Sequence, residues 1–263
     1  MKTTVFLGGG RITSALIAGL RRANYKNPIF VHDRHAKKLS QLRHQYKVGT
    51  ESDLRPAVER ADLLILAVRP ESVSELLGQI GEVRRRTVVV SLAAGVPLAN
   101  LRAGLKGHPL WARAMPSPIC RSGGGLTALT FDRNLPQKER RLIKKFFSKV
   151  GAVLEIPESK FDVFTATYSC SHGYHALATL AEVAHAEGLD RQTAFLAAAH
   201  ALADGIVAWR EGTTPLSRLL HEAATPGGIA ATVMTTVKEA GYRRAVARGL
   251  RAGIARARRH RKA

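Results

Sequence analysis

The chain has 263 residues, enough for one large or two modest domains with an ample core. Apolar residues make up 45% and charged residues 23%, ordinary values for a soluble globular protein, and no stretch approaches the roughly 18 apolar residues of a membrane span. The net charge of +21, from 41 Lys and Arg against 20 Asp and Glu, attracts nucleic acid, anionic surfaces and phosphorylated or carboxylate ligands alike, so it does not by itself name a partner.

The start of the chain is its most informative stretch. An apolar strand pattern over residues 4–7 runs into Gly8-Gly9-Gly10, and an apolar helical pattern over 12–23 follows without a break. That is the layout of a dinucleotide-binding turn. Gly8 lets the chain turn sharply out of the strand, and Gly10 lets the backbone approach a pyrophosphate held by the N–H groups at Arg11 and Ile12. Position 13 is Thr where the third glycine of the pattern is expected. Its branched side chain should push the first helix off the strand or shift the turn.

Strand and helix patterns then alternate. Strands are predicted over 29–32, 63–67, 87–91, 111–114, 125–130 and 152–155, and helices over 36–44, 53–60, 73–81, 97–103 and 137–150. Continuously apolar runs such as Leu63-Leu64-Ile65-Leu66 fit a parallel sheet covered on both faces. The fold class is α/β, a doubly wound sheet, and such sheets bind ligands at the carboxyl ends of their strands. The residues standing there are Gly8-Gly9-Gly10, Asp33-Arg34-His35, Ala67-Val68-Arg69-Pro70, Ala93-Ala94-Gly95 and Met115-Pro116-Ser117. Asp33 lies 23 residues past Gly10, where an acid meets the ribose hydroxyls of NAD and an Arg pairs with the 2′-phosphate of NADP. With Arg34 beside Asp33, the choice between NADH and NADPH stays open.

After about Pro157 the strand signal stops. Ala- and Leu-rich helical patterns fill 159–210, Pro226-Gly227-Gly228 breaks the chain, and a last long helical pattern follows. This is an all-helical second domain, whose apolar helices predict burial against a second copy of the chain. The expected boundaries are 1–157 for the dinucleotide-binding domain, 158–250 for the helical dimerisation and substrate domain, and 251–263 for a basic tail. The basic surplus gathers at Arg84-Arg85-Arg86, over 138–149, and after Glu239, where Arg243, Arg244, Arg248, Arg251, Arg256, Arg258, Arg259, Arg261 and Lys262 meet no acid. These read as solvated faces and a frayed tail. No zinc-finger spacing or aromatic RNA-binding signature joins them, so nucleic acid is not the expected partner, though the charge does not exclude it.

Cys120 and Cys170 lie far apart without metal-ligand spacing, and no sustained apolar run precedes the glycines. A cytoplasmic protein without a resident metal is expected. His172 and His175 are spaced to share a helical face, as ligands or an acid/base pair do, but no third ligand is in view.

Taken in order, these segments resemble the pyrroline-5-carboxylate reductase family. The matching residues are Phe6-Leu7-Gly8-Gly9-Gly10, Ala61-Asp62 leading into Ala67-Val68-Arg69-Pro70, Ser91-Leu92-Ala93-Ala94-Gly95-Val96, Arg113-Ala114-Met115-Pro116 and Thr225-Pro226-Gly227-Gly228. The resemblance implies a Rossmann domain binding NADPH or NADH and a helical domain that interlocks two protomers as a homodimer or higher homo-oligomer. It implies reduction of a cyclic imino acid, 1-pyrroline-5-carboxylate or a close analogue, at a site between the nicotinamide and the Pro-Gly-Gly loop. The implied cofactor residues are Gly8, Gly10, Arg11, Ile12, Asp33, Arg34, Ala67, Val68, Arg69, Pro70, Ala93 and Gly95. The implied substrate residues are Met115, Pro116, Ser117, Ser169, His172, Thr225, Gly227 and Gly228, with backbone N–H groups at Gly227 and Gly228 anchoring the carboxylate. No catalytic acid or base is identified.

The chain departs from the family pattern at Thr13, at Leu54 in place of an Asn near the adenosine, and at Ser117. It departs again at Ala230, where a hydroxyl residue contacts the bound ring in the family and Thr232 is a substitute. The family's Ser-Gly-Ser-Gly-Pro-Ala-Tyr becomes Ala166-Thr167-Tyr168-Ser169-Cys170-Ser171-His172. These changes leave the imine open, and with it the alternative of a non-catalytic nucleotide- or polyanion-binding protein on the same fold.

Overall fold

Two four-residue strands, β1 (Thr4–Leu7) and β4 (Leu63–Leu66), apolar apart from Thr4, are buried along their whole length because they are neighbours in the middle of an eight-stranded sheet. The computed structural model describes residues 3–84 and 86–260. Arg85 of the central basic cluster and Arg261 and Lys262 at the end of the chain lie outside the described residues.

The sheet adds β2 (Ile29–His32), β3 (Gly49–Glu51), β5 (Val88–Ser91), β6 (Leu110–Met115), β7 (Leu126–Phe131) and β8 (Ala152–Glu155), in the order β3-β2-β1-β4-β5-β6-β7-β8. All pairs are parallel except β6 with β7. Successive side chains of a strand face opposite sides, so the apolar runs feed two separate cores. Phe6, Leu63, Ile65 and Val90 face α1 (Arg11–Arg22), α2 (Ala36–Tyr46) and α6 (Gln137–Phe147). Val5, Leu7, Leu64, Leu66 and Val89 face α3 (Leu54–Glu59), α4 (Val73–Ile80) and α5 (Leu98–Gly104). The short strand β3 has no apolar residue to announce it. It forms by pairing with β2, where Gly49 sits so close to the Phe30 ring that a Cβ would collide. Leu54, the first residue of α3, packs half-buried on the second core.

The chain divides into two compact units, one running up to Tyr168 and resuming at Gly253, the other Ser169–Ala252. The sequence places this division at 157/158, whereas the first unit keeps the chain through α7 (Phe161–Thr167). Phe161 is fully buried, and the Leu126 N–H donates to the Tyr168 hydroxyl at 2.6 Å. The expected frayed tail is likewise helical as far as it is described. In α12 (Tyr242–Arg259), Ala257 is buried in the first unit, and its carbonyl leaves no room for a Cβ on Gly95. An apolar stripe at helical spacing, Ala247, Leu250, Ile254 and Ala257, recruits this arginine-rich segment into the fold.

The second unit holds α8 (Cys170–Ala186), α9 (Arg191–Glu211), α10 (Leu216–Ala223), α11 (Ile229–Glu239) and the start of α12. The Asp190 carboxylate caps α9, accepting from the Gln192 and Thr193 N–H groups at 3.0 and 3.1 Å. Hydrogen bonds from Thr193, side chain first and then backbone, hold its pKa below the usual value. Buried alanines, Ala181, Ala194 and Ala198, let α8 and α9 approach closely. Large apolar side chains stand in the open, with Leu196 60%, Ile206 57% and Val233 55% exposed. Among the described residues no helix is long and apolar enough to cross a membrane.

Candidate active site

Because β1, β2, β4, β5 and β6 run parallel and in register, the segments that follow them share one edge of the sheet. The glycine turn after β1 sits at its centre. Gly8 has φ +109°, and a Cβ there would lie 2.6 Å from the Ala67 carbonyl oxygen, so both conformation and space demand glycine. Gly10 is different. Its φ of −81° suits any residue, and nothing lies within 4 Å of where its Cβ would be. Gly10 caps α1, whose first turn carries no acid and presents the N–H groups of Arg11 and Ile12 beside that open space. The residues present therefore fit a dinucleotide pyrophosphate, approached by backbone and held at a helix N-terminus.

Thr13 does not displace the helix. It is fully buried, and its hydroxyl donates to the Gly8 carbonyl at 2.5 Å, which ties the first turn of α1 to the strand end. Leu16, Ile17 and Leu20 remain fully buried beneath it. The branched side chain fits because its polar atom finds an acceptor inside the turn.

Asp33 is tied into the glycine turn. Its Oδ2 accepts the Gly9 N–H at 2.8 Å, and its Oδ1 accepts the His35 N–H at 2.9 Å with the His35 ring Nδ1 at 2.8 Å. Lys38 Nζ stands 3.5 Å from Oδ2. Burial pushes the Asp33 pKa up, but the bonds from Gly9 and His35 and the Lys38 charge outweigh it and hold the carboxyl below its usual range. With both oxygens engaged, Asp33 braces the glycine turn. Arg34 alongside is exposed. The clamp of His35 and Lys38 escapes the sequence reading, although the two-residue spacing of Asp33 and His35 is that of an Asx turn.

The remaining strand ends are compact. The Ala67 N–H donates to the Leu7 carbonyl at 2.8 Å, and Pro70 opens a single 3₁₀ turn, Pro70–Ser72, after the exposed Arg69. After β5 the buried Ser91 hydroxyl accepts the Ala93 N–H at 3.3 Å, shaping the turn to Gly95 at φ +77°. At the end of β6, Met115 is half-buried and Pro116 and Ser117 are buried, with the Ser117 hydroxyl accepting the Ile119 N–H at 3.4 Å. Behind this edge Arg113 and Glu158 pair at 3.0 Å, and Glu158 also accepts the Leu98 N–H at 2.7 Å. That pair links β6, the chain before α7 and the start of α5. Cys120, buried against the back of α1 at Gly19, has its thiol pushed up to about 12 by burial.

The other candidate residues belong to the second unit, at two helix N-termini. Ser169 caps α8, its hydroxyl accepting the Ser171 N–H at 3.4 Å, and His172 is exposed one turn on. Gly227 has φ +77° in open space, the conformation that makes glycine the residue of choice there. The Gly228 N–H donates to the Thr225 carbonyl at 2.9 Å, so the open donors of this turn belong to residues 229–231 at the start of α11. Thr232 donates its hydroxyl back to the Gly228 carbonyl at 3.2 Å. Among the described residues no group of three or more His, Cys, Asp or Glu side chains is arranged to hold a metal.

Residues 3–95, which contain the glycine turn, Asp33, Ala67 and Gly95, match the family described as NADP oxidoreductase, coenzyme F420-dependent. Residues 158–260 match the family described as pyrroline-5-carboxylate reductase dimerisation. A pyrroline-5-carboxylate reductase of Corynebacterium melassecola is 31% identical over 260 residues, spanning 96% of both chains. The fold is shared with the 1-pyrroline-5-carboxylate reductase of Streptococcus pyogenes, at a TM-score of 0.89 and 19% identity over 97% of this chain and 98% of that one. A Plasmodium falciparum pyrroline carboxylate reductase with NADP bound gives a TM-score of 0.87 at 19% identity, over 98% and 97%. The 31% identity to the corynebacterial enzyme over 96% of both chains and the dimerisation-family match agree: this chain belongs to the pyrroline-5-carboxylate reductase family.

Proposed function

We propose that the chain reduces 1-pyrroline-5-carboxylate to proline in the cytoplasm, preferring NADPH to NADH, as a homodimer built through its helical units. The observation that carries this reading is the glycine turn with its open Gly10 face, its acid-free helix start and an Asp33 already engaged. An acid that accepts both ribose hydroxyls favours NADH. Here the carboxylate is held by Gly9 and His35, which leaves the exposed Arg34 to pair with a 2′-phosphate.

A nicotinamide held at this edge would, when reduced and bound, supply the hydride for the imine carbon of the ring. The chain has to align the two and keep water out, because a protonated cyclic imine is already electrophilic. The half-buried Ala67 at the end of β4 leaves room for a flat ring at the sheet edge, whereas Ala93 and Gly95 are buried, Gly95 against the Ala257 carbonyl, and shape the turn behind it. In the helical unit the first-turn N–H groups of α11 and the exposed Thr225 hydroxyl suit the substrate carboxylate. The exposed Leu196, Ile206 and Val233 support burial against a second copy.

The test is steady-state oxidation of each cofactor by the purified protein with pyrroline-5-carboxylate. The expected result is turnover with a lower KM for NADPH. Arg34→Ala should raise the NADPH KM about 10- to 100-fold, the worth of one charge-assisted bond, and leave NADH unchanged. No oxidation of either cofactor overturns the activity; equal losses with both overturn the role of Arg34.

A further inference from the structure

The sheet has a second edge, where β5 and β6 begin and β7 ends, and a cleft of about 530 Å³ opens there. Volumes of roughly 300–1,000 Å³ accommodate small organic ligands. The cleft lies at the amino ends of the parallel strands, away from the edge where this fold class binds its dinucleotide. We propose that it binds a small phosphorylated anion, either free diphosphate or the phosphoryl group of a mononucleotide-sized metabolite.

Charge is the first support. Arg86, Arg102 and Lys106 line the cleft with His108, and Asp132 is the one carboxylate among the lining residues. Asp132 is already paired with Arg102 at 2.8 Å, which fixes that guanidinium and leaves its remaining donors in place. The cleft therefore carries a net positive charge, with Arg86 and Lys106 exposed at its rim.

Backbone shape is the second. Arg86 and His108 both adopt left-handed conformations, φ +68° and +54°, and Gly107 between the cleft walls has φ +92°. A non-glycine residue in that region is uncommon and strained, and such positions cluster where backbone must be held for a ligand. Two of them, both basic residue types, lie on this one cleft.

The walls are the third. Leu105, Pro109 and Pro136 offer apolar surface of the kind that packs on a sugar or base. Trp111, 1% exposed, forms the floor beneath them and belongs to the second core, which gives the cleft a rigid base. The other basic cleft, between Lys26, Lys145 and Lys149, has three lysines and no arginine, and so lacks any planar guanidinium fork for bidentate phosphate binding.

Calorimetry on the protein saturated with NADP⁺ tests this, with inorganic pyrophosphate and AMP as separate titrants, so that the dinucleotide edge is already filled. The expected result is saturable binding of one ligand per chain. The exposed pair Arg86→Gln with Lys106→Ala should weaken it at least tenfold, with the NADPH KM and the melting temperature unchanged. Tighter binding of AMP assigns the apolar walls a part in recognition, and equal binding assigns the phosphoryl group alone; either carries the proposal. No saturable heat, an undiminished affinity in the double variant, or a loss produced by Lys149→Ala instead would overturn it.

Discussion

The two units of this chain treat their apolar residues in opposite ways. In the first, every side chain of β1 and β4 is enclosed, and helices cover both sheet faces. In the second, the buried apolar residues are small alanines between α8 and α9, while Leu196, Ile206 and Val233 remain more than half exposed. The first is a finished core. The second has the composition of a core without the enclosure, which is how a helical unit looks when the rest of its core comes from another copy. The same contrast recurs at the glycines: Gly8 is hemmed in by its own chain, whereas Gly227 stands in open space.

The largest expected effect comes from breaking the unfinished side. Leu196→Glu combined with Ile206→Glu places two charges on the exposed face of α9. Burying either aliphatic side chain is worth about 1.5–3 kcal/mol, and a buried unpaired charge costs more, so association should weaken by at least about a hundredfold. Light scattering behind size exclusion should report a monomer without activity. A variant that stays dimeric and active shows that this face of α9 is not the one covered.

The finished side should break at Gly8. Gly8→Ala meets the Ala67 carbonyl at 2.6 Å with φ +109°, so strain and collision add to about 2–4 kcal/mol. Thermal unfolding should begin at least about 5 °C lower, and the NADPH KM should rise tenfold or more. Gly227→Ala has strain but no collision, and should cost about 1 kcal/mol. Equal costs at the two positions would remove the contrast between the turns.

How much of this was legible beforehand follows the same division. The apolar strands and the glycine turn are local signals, and the sheet follows from them because a buried parallel strand has few other uses. β3 was not legible, because Gly49-Thr50-Glu51 forms a strand only through its partner. The docked end of α12 was hidden by its arginines, since seven of them mask a narrow stripe ending at Ala257. Thr13 looked like damage to a pattern, and only the Gly8 carbonyl above it shows why it fits. A spacing rule locates the Asp33 carboxylate without saying that it accepts from Gly9 and His35, because those bonds depend on the fold of the turn. In the helical unit, Thr225 and Gly228 are legible as a turn, while the commitment of the Gly228 N–H is not.

Asp33 gives a smaller effect with a definite pH sense. Its folded pKa lies below the usual carboxylate value, so the ionised form stabilises the fold above the unfolded pKa near 4, and that stabilisation is lost as pH falls through the lower folded value. Asp33→Asn should therefore cost about 1–2 kcal/mol at neutral pH. The difference from the parent chain should shrink in acid, where both carry a neutral side chain. Melting curves across that range decide it, and a penalty independent of pH would mean that the carboxylate charge has no part in bracing the turn.

The smallest effect sharpens the open turn of the helical unit. Thr232→Val removes a hydroxyl that donates to the Gly228 carbonyl at 3.2 Å, within its own helix. Such a back-bond adds little to helix stability, so unfolding should shift by less than about 0.5 kcal/mol. If that bond is all the hydroxyl does, the KM for pyrroline-5-carboxylate should change less than about threefold, and Ala230→Ser on the same exposed turn should lower it. A tenfold rise in KM with kcat intact would mean instead that the hydroxyl leaves Gly228 to meet the substrate, as uniform binding lost at one contact requires. The two outcomes separate a turn closed on itself from one whose polar groups wait for a ligand, the distinction on which the contrast between Gly8 and Gly227 rests.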